Sequence, residues 1–319
     1  MIMSVTRADV VAASRRLAGH VRRTPLIEAH ALSAITGRTV WLKLETLQHT
    51  RSFKFRGALN AVLALSERMG ALPTLVTASA GNHGLALATA ASATGASLLV
   101  YTPRTTPAAK LERMRRPGVR VDTSSRDYDE AERHALEAAS HGDGTYVSPY
   151  NNPEVIAGAG TVALEILDDL PSPGGIVVPT GGGGLLSGVA LAVGDVAQVV
   201  GVEPEVNPAF TASLAAGRTT AIAPGASLAD GLLGNLEAGS VTFDLVRENV
   251  TAVRTVPERF VVEGVRALFR QERLVAEGAG AIAVGALLGG VVDDVPDPLV
   301  LVVSGANIDT TTLLEAIAA

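Results

Sequence analysis

The chain has 319 residues, 47% of them apolar, enough to bury a substantial core in one large domain or two of ordinary size. Aromatic residues make up only 3% while Ala, Val, Leu and Gly dominate, which suits helices packed on parallel strands and points to an α/β fold. The 26 basic and 32 acidic residues give a net charge of −6 with no Lys/Arg-rich run, which argues against a nucleic-acid partner, and the absence of cysteine excludes thiol chemistry and agrees with a cytoplasmic protein.

In chain order, the first 25 residues carry charges throughout, so they lack the continuous apolar core of a secretory signal and read as an amphipathic helix. The segment SFKFRGALNAVLAL predicts a helix with Ser52 as N-cap and Ala58, Val62, Leu65 and Met69 along an apolar stripe, which places Lys54 in the first turn. There the helix dipole and burial both disfavour an ammonium, making Lys54 a candidate free amine able to form an imine; taken alone, the segment also reads as carrying a solvated lysine. The runs TLVTAS, NHGLALATAASATG and ASLLVYTP then read as strand, helix and strand. At the strand end, TASAGNHG presents Ser79, Asn82 and His83 beside small residues that leave room for a carboxylate at a helix start. His83 has no nearby carboxylate partner and reads as a structural histidine as readily as a proton shuttle. Two charged segments, PAAKLERMRRPG and RDYDEAERHALEAASHG, follow as solvated helices.

A second unit pairs the strand GGIVVP with a glycine loop, the helix LLSGVALAVG and the strand QVVGVEPE, and PLVLVVSG is a further buried strand near the end. In PTGGGGLLSG the amides of Gly181, Gly182, Gly183, Gly184 and Leu185 can converge on a phosphate, without the Gly-Lys-Ser/Thr ending of a Walker loop. The uncharged stretch 170–194 is long enough to suggest a membrane span, but Pro171, Pro173, Pro179 and its glycines would interrupt a helix, so it reads as buried soluble structure. GAGTVA at Gly158 and GAGAIA at Gly278 match a loose dinucleotide-binding pattern, yet neither directly follows a strand.

Taken together, the segments resemble the fold-type II pyridoxal-phosphate family, specifically its serine/threonine dehydratases and serine racemases. The likeness runs in the family's order from Thr24-Pro25-Leu26 through ETLQHTRSFKFRGA, SAGNHG, VPTGGGGLLSG, VEPE, SLADG and EGAGA to SGANID. It implies two open parallel-sheet lobes flanked by helices, like the tryptophan synthase β chain: a large cofactor-binding domain of residues 1–48 and 150–319, a small domain of residues 70–145, and the Lys54 helix at their junction. By the same resemblance, Lys54 would hold pyridoxal 5′-phosphate as a Schiff base and take the α-proton. Phe53 would pack beside the ring, Asn82 would bond its phenolic oxygen, residues Gly181 to Leu185 would hold the phosphate, and Ser304 would face the pyridine nitrogen. Ser79, Ala80 and His83 would line the substrate carboxylate site, with Gly231, Glu277 and Arg51 as further candidates.

The implied reaction is β-elimination from a small hydroxy-amino acid such as threonine or serine, giving a 2-oxo acid and ammonia. A related substrate (hydroxyaspartate, diaminopropionate or a hydroxylated cyclic metabolite), a racemase and a noncatalytic cofactor-binding protein are the alternatives. Ala80 stands where the racemases carry a serine that protonates the second face, so dehydratase activity is expected to exceed racemase activity. Arg51 and Leu85 stand where glycine and glutamine are common. Some relatives bind a divalent cation at a glutamate and an aspartate; here Glu203 matches the first but Ala209 the second, so no metal is expected. The chain ends ten residues after Asp309, which leaves no room for an appended regulatory domain, and a homodimer is the expected assembly.

Overall fold

The computed structural model describes residues 5–237 and 239–318. Its strands are β1 (Leu26–Glu28), β2 (Val40–Leu44), β3 (Leu75–Ala78), β4 (Leu98–Pro103), β5 (Val119–Ser125), β6 (Thr145–Tyr146), β7 (Gly175–Pro179), β8 (Gln198–Pro204), β9 (Ala252–Val256) and β10 (Leu299–Val303). They form two sheets, a larger one in the order β1-β2-β10-β7-β8-β9 and a smaller one in the order β5-β4-β3-β6. As expected, the pairings are parallel, except that of the short edge strand β1 with β2. A three-residue return needs no crossover helix, so it can run antiparallel.

Helices cover both faces of the larger sheet, which is why β7 and β10 are apolar and buried at every position. On one face Val177, Leu301 and Val303 pack with Ile282, Val284 and Val265; on the other Ile176, Val178 and Val302 pack with Val162, Ile166 and Val189. The uncharged stretch 170–194 supplies β7 and the helix Gly184–Val193, and among the described residues no helix is long and apolar enough to cross a membrane. Gly158 of the loose dinucleotide pattern lies inside the helix Pro153–Asp169, where a Cβ would come within 2.7 Å of the Arg56 carbonyl oxygen. That glycine serves helix packing.

The helix Lys54–Met69 joins the two sheets. Phe55, Ala58, Leu59 and Val62 on its buried face pack against Leu75, Leu87, Leu98 and Val100 of the smaller sheet's core, each large side chain stabilising by roughly 1.5–3 kcal/mol. Just before it, Ser52 bridges to Gly305 at the end of β10, and the Phe53 amide donates to the Ser304 carbonyl at 3.0 Å. Two sequence expectations are corrected here. The N-cap position falls on Phe53, with Ser52 Oγ reaching the Lys54 amide only at 3.4 Å, because the bridge to Gly305 holds residue 52 outside the helix. Met69 is exposed, since the helix outruns the core that its earlier turns cover.

Candidate active site

Lys54 is the first residue of its helix, and its Nζ donates to the Pro149 carbonyl at 2.8 Å. Burial of the amine lowers its pKa from 10.5 to about 8, although the residue as a whole remains partly exposed. The Phe53 ring centroid lies 5.2 Å from Nζ. Two residues further on, Arg56 is fully buried in a pair of forked bonds, to Glu45 at 2.8 and 2.8 Å and to Glu165 at 2.7 and 2.8 Å. Lys43 Nζ adds a 2.6 Å bond to Glu165 and a 2.7 Å bond to the Thr24 carbonyl, and Thr24 Oγ1 donates to Glu45 at 2.6 Å. Burial lowers the Lys43 pKa despite Glu165; for Glu165, burial is outweighed by Arg56 and Lys43, which hold the carboxylate ionised. Two cations thus meet two carboxylates, and this network anchors the start of the Lys54 helix. The sequence does not reveal that these residues converge, because the ionic partners lie up to 122 residues apart.

The glycine loop enters the helix Gly184–Val193, whose first amides have no intrahelical acceptor; the Ser187 amide is the one that returns to the Gly183 carbonyl, at 2.8 Å. The loop is tightly walled as well as open to a ligand. A Cβ on Gly182 would lie 2.2 Å from the Tyr150 ring, and Gly183 has φ +83° with Phe210 2.5 Å from its Cβ position. Gly181 faces Leu232, and Gly231 sits in the turn Asp230–Leu232 beside Ala279. Tyr150 was not singled out from the sequence; its hydroxyl accepts from the Glu237 amide at 2.8 Å, fixing the ring over the loop. Leu185 is buried in the core below.

At the end of β3, Ser79 Oγ accepts from the amides of Gly81 at 3.2 Å and Gly84 at 3.0 Å, so its hydroxyl hydrogen remains free to donate. It lies at the start of the helix Asn82–Thr94, whose first amides lack intrahelical acceptors, with Ala80 partly exposed beside it. Asn82 Nδ2 donates to Glu277 Oε1 at 2.7 Å, and its Oδ1 accepts from Asn307 Nδ2 at 2.6 Å. Glu277 Oε2 accepts from the Asn307 amide at 3.1 Å. Burial, with Asp230 adding to it, raises the Glu277 pKa from 4.5 to about 7. A Cβ at Gly305 would lie 2.2 Å from Glu277 Oε1, so any larger residue there requires the Glu277 carboxyl to shift. Ser304, at the end of β10, is buried with its hydroxyl 3.4 Å from the Ala279 carbonyl, a long bond that leaves it available to another partner.

Three further residues stand apart. His83 Nε2 is 3.2 Å from the Val147 carbonyl, which makes it the donor; burial, with the Lys54 charge, pushes its pKa down to about 3, so the ring is neutral. Its side chain braces the segment that carries Pro149. Arg51 lies in the left-handed region at φ 55°, which explains why glycine suits that position, and its side chain is exposed. Glu203 is buried with its oxygens accepting from the amides of Phe210 at 2.9 Å and Thr211 at 2.8 Å, capping the helix Ala209–Ala216. With alanine at 209, this corner lacks the second carboxylate of a cation site.

An amine of lowered pKa beside a glycine-started helix and a free serine hydroxyl is a donor set suited to an anionic aldehyde cofactor. Comparison with known proteins decides the matter: the profile of the pyridoxal-phosphate dependent enzymes matches residues 17–305. The chain belongs to that family. An L-threonine ammonia-lyase of Thermotoga maritima is 39% identical over 312 residues, covering 97% of this chain and 77% of that protein. A serine racemase of Arabidopsis thaliana is 32% identical over 320 residues, covering 97% of this chain and 96% of that protein. Among solved structures, a T.th. threonine deaminase superposes with a TM-score of 0.87 at 36% identity, covering 95% of this chain and 98% of that one. The fold is therefore that of a fold-type II pyridoxal-phosphate enzyme, and the family's cofactor is pyridoxal phosphate.

Proposed function

We propose that this chain is a threonine and serine ammonia-lyase that releases a 2-oxo acid and ammonia, with Lys54 as its catalytic base. The observation that carries the assignment is Lys54 Nζ, held at 2.8 Å by the Pro149 carbonyl at a helix start between the two sheets, with its pKa lowered to about 8 by burial. Bound pyridoxal phosphate supplies the electron sink for the substrate's α-carbon. The amides of the glycine loop from Gly181 to Leu185 would hold its phosphate, Asn82 Nδ2 would donate its remaining hydrogen toward the phenolic oxygen, and Ser304 would offer a neutral hydroxyl to the pyridine nitrogen. A neutral partner there weakens the sink, which favours loss of a β-hydroxyl over reactions that need a long-lived carbanion.

Ser79 donates its free hydroxyl hydrogen to the substrate carboxylate, assisted by the first amides of the Asn82–Thr94 helix. Lys54 Nζ is the base for the α-proton. Ala80 offers no hydroxyl to return a proton from the opposite face, which supports elimination over racemisation even though racemases are among the relatives. The two sheets correspond in this reading to a large cofactor lobe and a small lobe, and the assembly is a cytoplasmic homodimer; the cysteine-free, acidic composition supports the compartment.

The test measures 2-oxo acid and ammonia released from threonine and serine by the wild type and Lys54→Ala, with the cofactor chromophore followed before and after borohydride. Equal release of both products from the wild type, loss of at least 1,000-fold in the variant and no borohydride-trapped cofactor on it are expected (~10³ or more for removal of a covalent catalytic base). A variant that still traps the cofactor covalently overturns the assignment of Lys54.

A further inference from the structure

Asn307 lies in the SGANID segment without a role assigned from the sequence, yet it bonds to several parts of the cluster around Asn82. Its Nδ2 donates to the Thr50 carbonyl at 2.9 Å and to Asn82 Oδ1 at 2.6 Å; its backbone amide donates to Glu277 Oε2 at 3.1 Å. Its Oδ1 accepts from the Arg113 guanidinium, which belongs to the helix Ala108–Met114 on the smaller-sheet side. Two of these partners have fixed polarity. A backbone carbonyl only accepts and a guanidinium only donates, so the amide of Asn307 can sit in one orientation alone. That orientation turns NH2 toward Asn82, which must answer with Oδ1, and this leaves Asn82 Nδ2 facing Glu277 with one hydrogen unassigned. The direction of the Asn82 amide is therefore set from two sides, by Glu277 as acceptor and through Asn307 by Thr50 and Arg113.

We propose that Asn307 is a positioning residue of the active site, which holds the Asn82 amide with its free N–H presented to the cofactor and links that orientation, through Arg113, to the smaller sheet. The inference rests on the reading that Asn82 donates to the cofactor's phenolic oxygen. Besides Arg113, the charged groups facing the cluster are Glu277, Asp230 and Lys110, the last two 3.5 Å apart in an exposed pair across the cleft. A change at Asn307 to alanine alters none of these charges.

The experiment is a double-mutant cycle on the holoenzyme, reading the midpoint of the pH titration of the bound cofactor's absorbance for wild type, Asn82→Ala, Asn307→Ala and the double variant. Losing an N–H donor to a phenolic oxygen disfavours its anionic form, so Asn82→Ala is expected to move the midpoint upward by about 1–2 pH units. Asn307→Ala is expected to move it in the same direction, and the double variant no further than Asn82→Ala alone. Arg113→Gln, a change on an exposed side chain that leaves the core intact, is expected to give a smaller upward shift that also vanishes in the Asn82→Ala background. A midpoint unmoved by Asn307→Ala while Asn82→Ala shifts it overturns the proposal alone, as do additive shifts. No shift from Asn82→Ala itself overturns the reading of Asn82 and the proposal with it.

Discussion

At the scale of single residues, the chemistry depends on how far burial moves one amine. The Lys54 pKa falls from 10.5 to about 8 because the folded chain removes water from Nζ without providing a carboxylate, the Pro149 carbonyl being the partner it finds. Only the neutral amine attacks an aldehyde, so the neutral fraction sets the rate at which cofactor-free protein captures pyridoxal phosphate. Because the folded pKa is lowered, that fraction rises through pH 8 instead of 10.5. Stopped-flow capture rates measured from about pH 6.5 to 10 are expected to climb and level off with a midpoint near 8 (within about one unit). A rate still climbing steeply above about pH 9.5 would show an amine left in water, and the burial argument would fail. Lys54 was legible as a candidate because a lysine in a first helical turn is electrostatically out of place. Asn307 was not, because its role comes from partners at positions 50, 82, 113 and 277, which only the fold brings together.

At the scale of elements, the strand and helix pattern was plain from sequence wherever strands are buried on both faces. TLVTAS, ASLLVYTP, GGIVVP, QVVGVEPE and PLVLVVSG correspond to β3, β4, β7, β8 and β10, since an unbroken apolar run of that length between turns has few other folded uses. The glycine loop was equally visible, but half of its reason was hidden. Four glycines suggest space for a phosphate, whereas the geometry shows that Gly182 also clears the Tyr150 ring, a residue whose sequence neighbourhood carries no hint of that contact. A methyl group at 182 must displace a ring whose hydroxyl is tied to the Glu237 amide at 2.8 Å. Gly182→Ala is therefore expected to destabilise the protein by about 1–3 kcal/mol and to weaken cofactor binding. Adding Tyr150→Ala should restore part of the affinity by vacating the clash, as read by cofactor titration and thermal unfolding. If Tyr150→Ala instead compounds the loss, the ring contact is not what makes alanine intolerable.

At the scale of the whole molecule, residues from five separate segments meet in one buried ionic network. Thr24, Lys43, Glu45, Arg56 and Glu165 come from an N-terminal loop, β2, the turn after it, the Lys54 helix and the helix Pro153–Asp169. Each is ordinary in sequence; together they fix the helix that presents Lys54 against the larger sheet. The network is balanced, two cations against two carboxylates, so its energetics are those of a set and not of separate pairs. Arg56→Met leaves Glu45 and Glu165 buried with Lys43 alone and is expected to cost about 3–5 kcal/mol. Adding Glu45→Gln restores the balance by leaving one Lys43–Glu165 pair, 2.6 Å apart, and so should recover stability instead of losing more. Chemical denaturation of the two single variants and the double variant measures this directly, with a coupling of about 1–3 kcal/mol expected. If the costs simply add, Arg56 and Glu45 are energetically uncoupled, and the network cannot be what holds the Lys54 helix in register with the larger sheet.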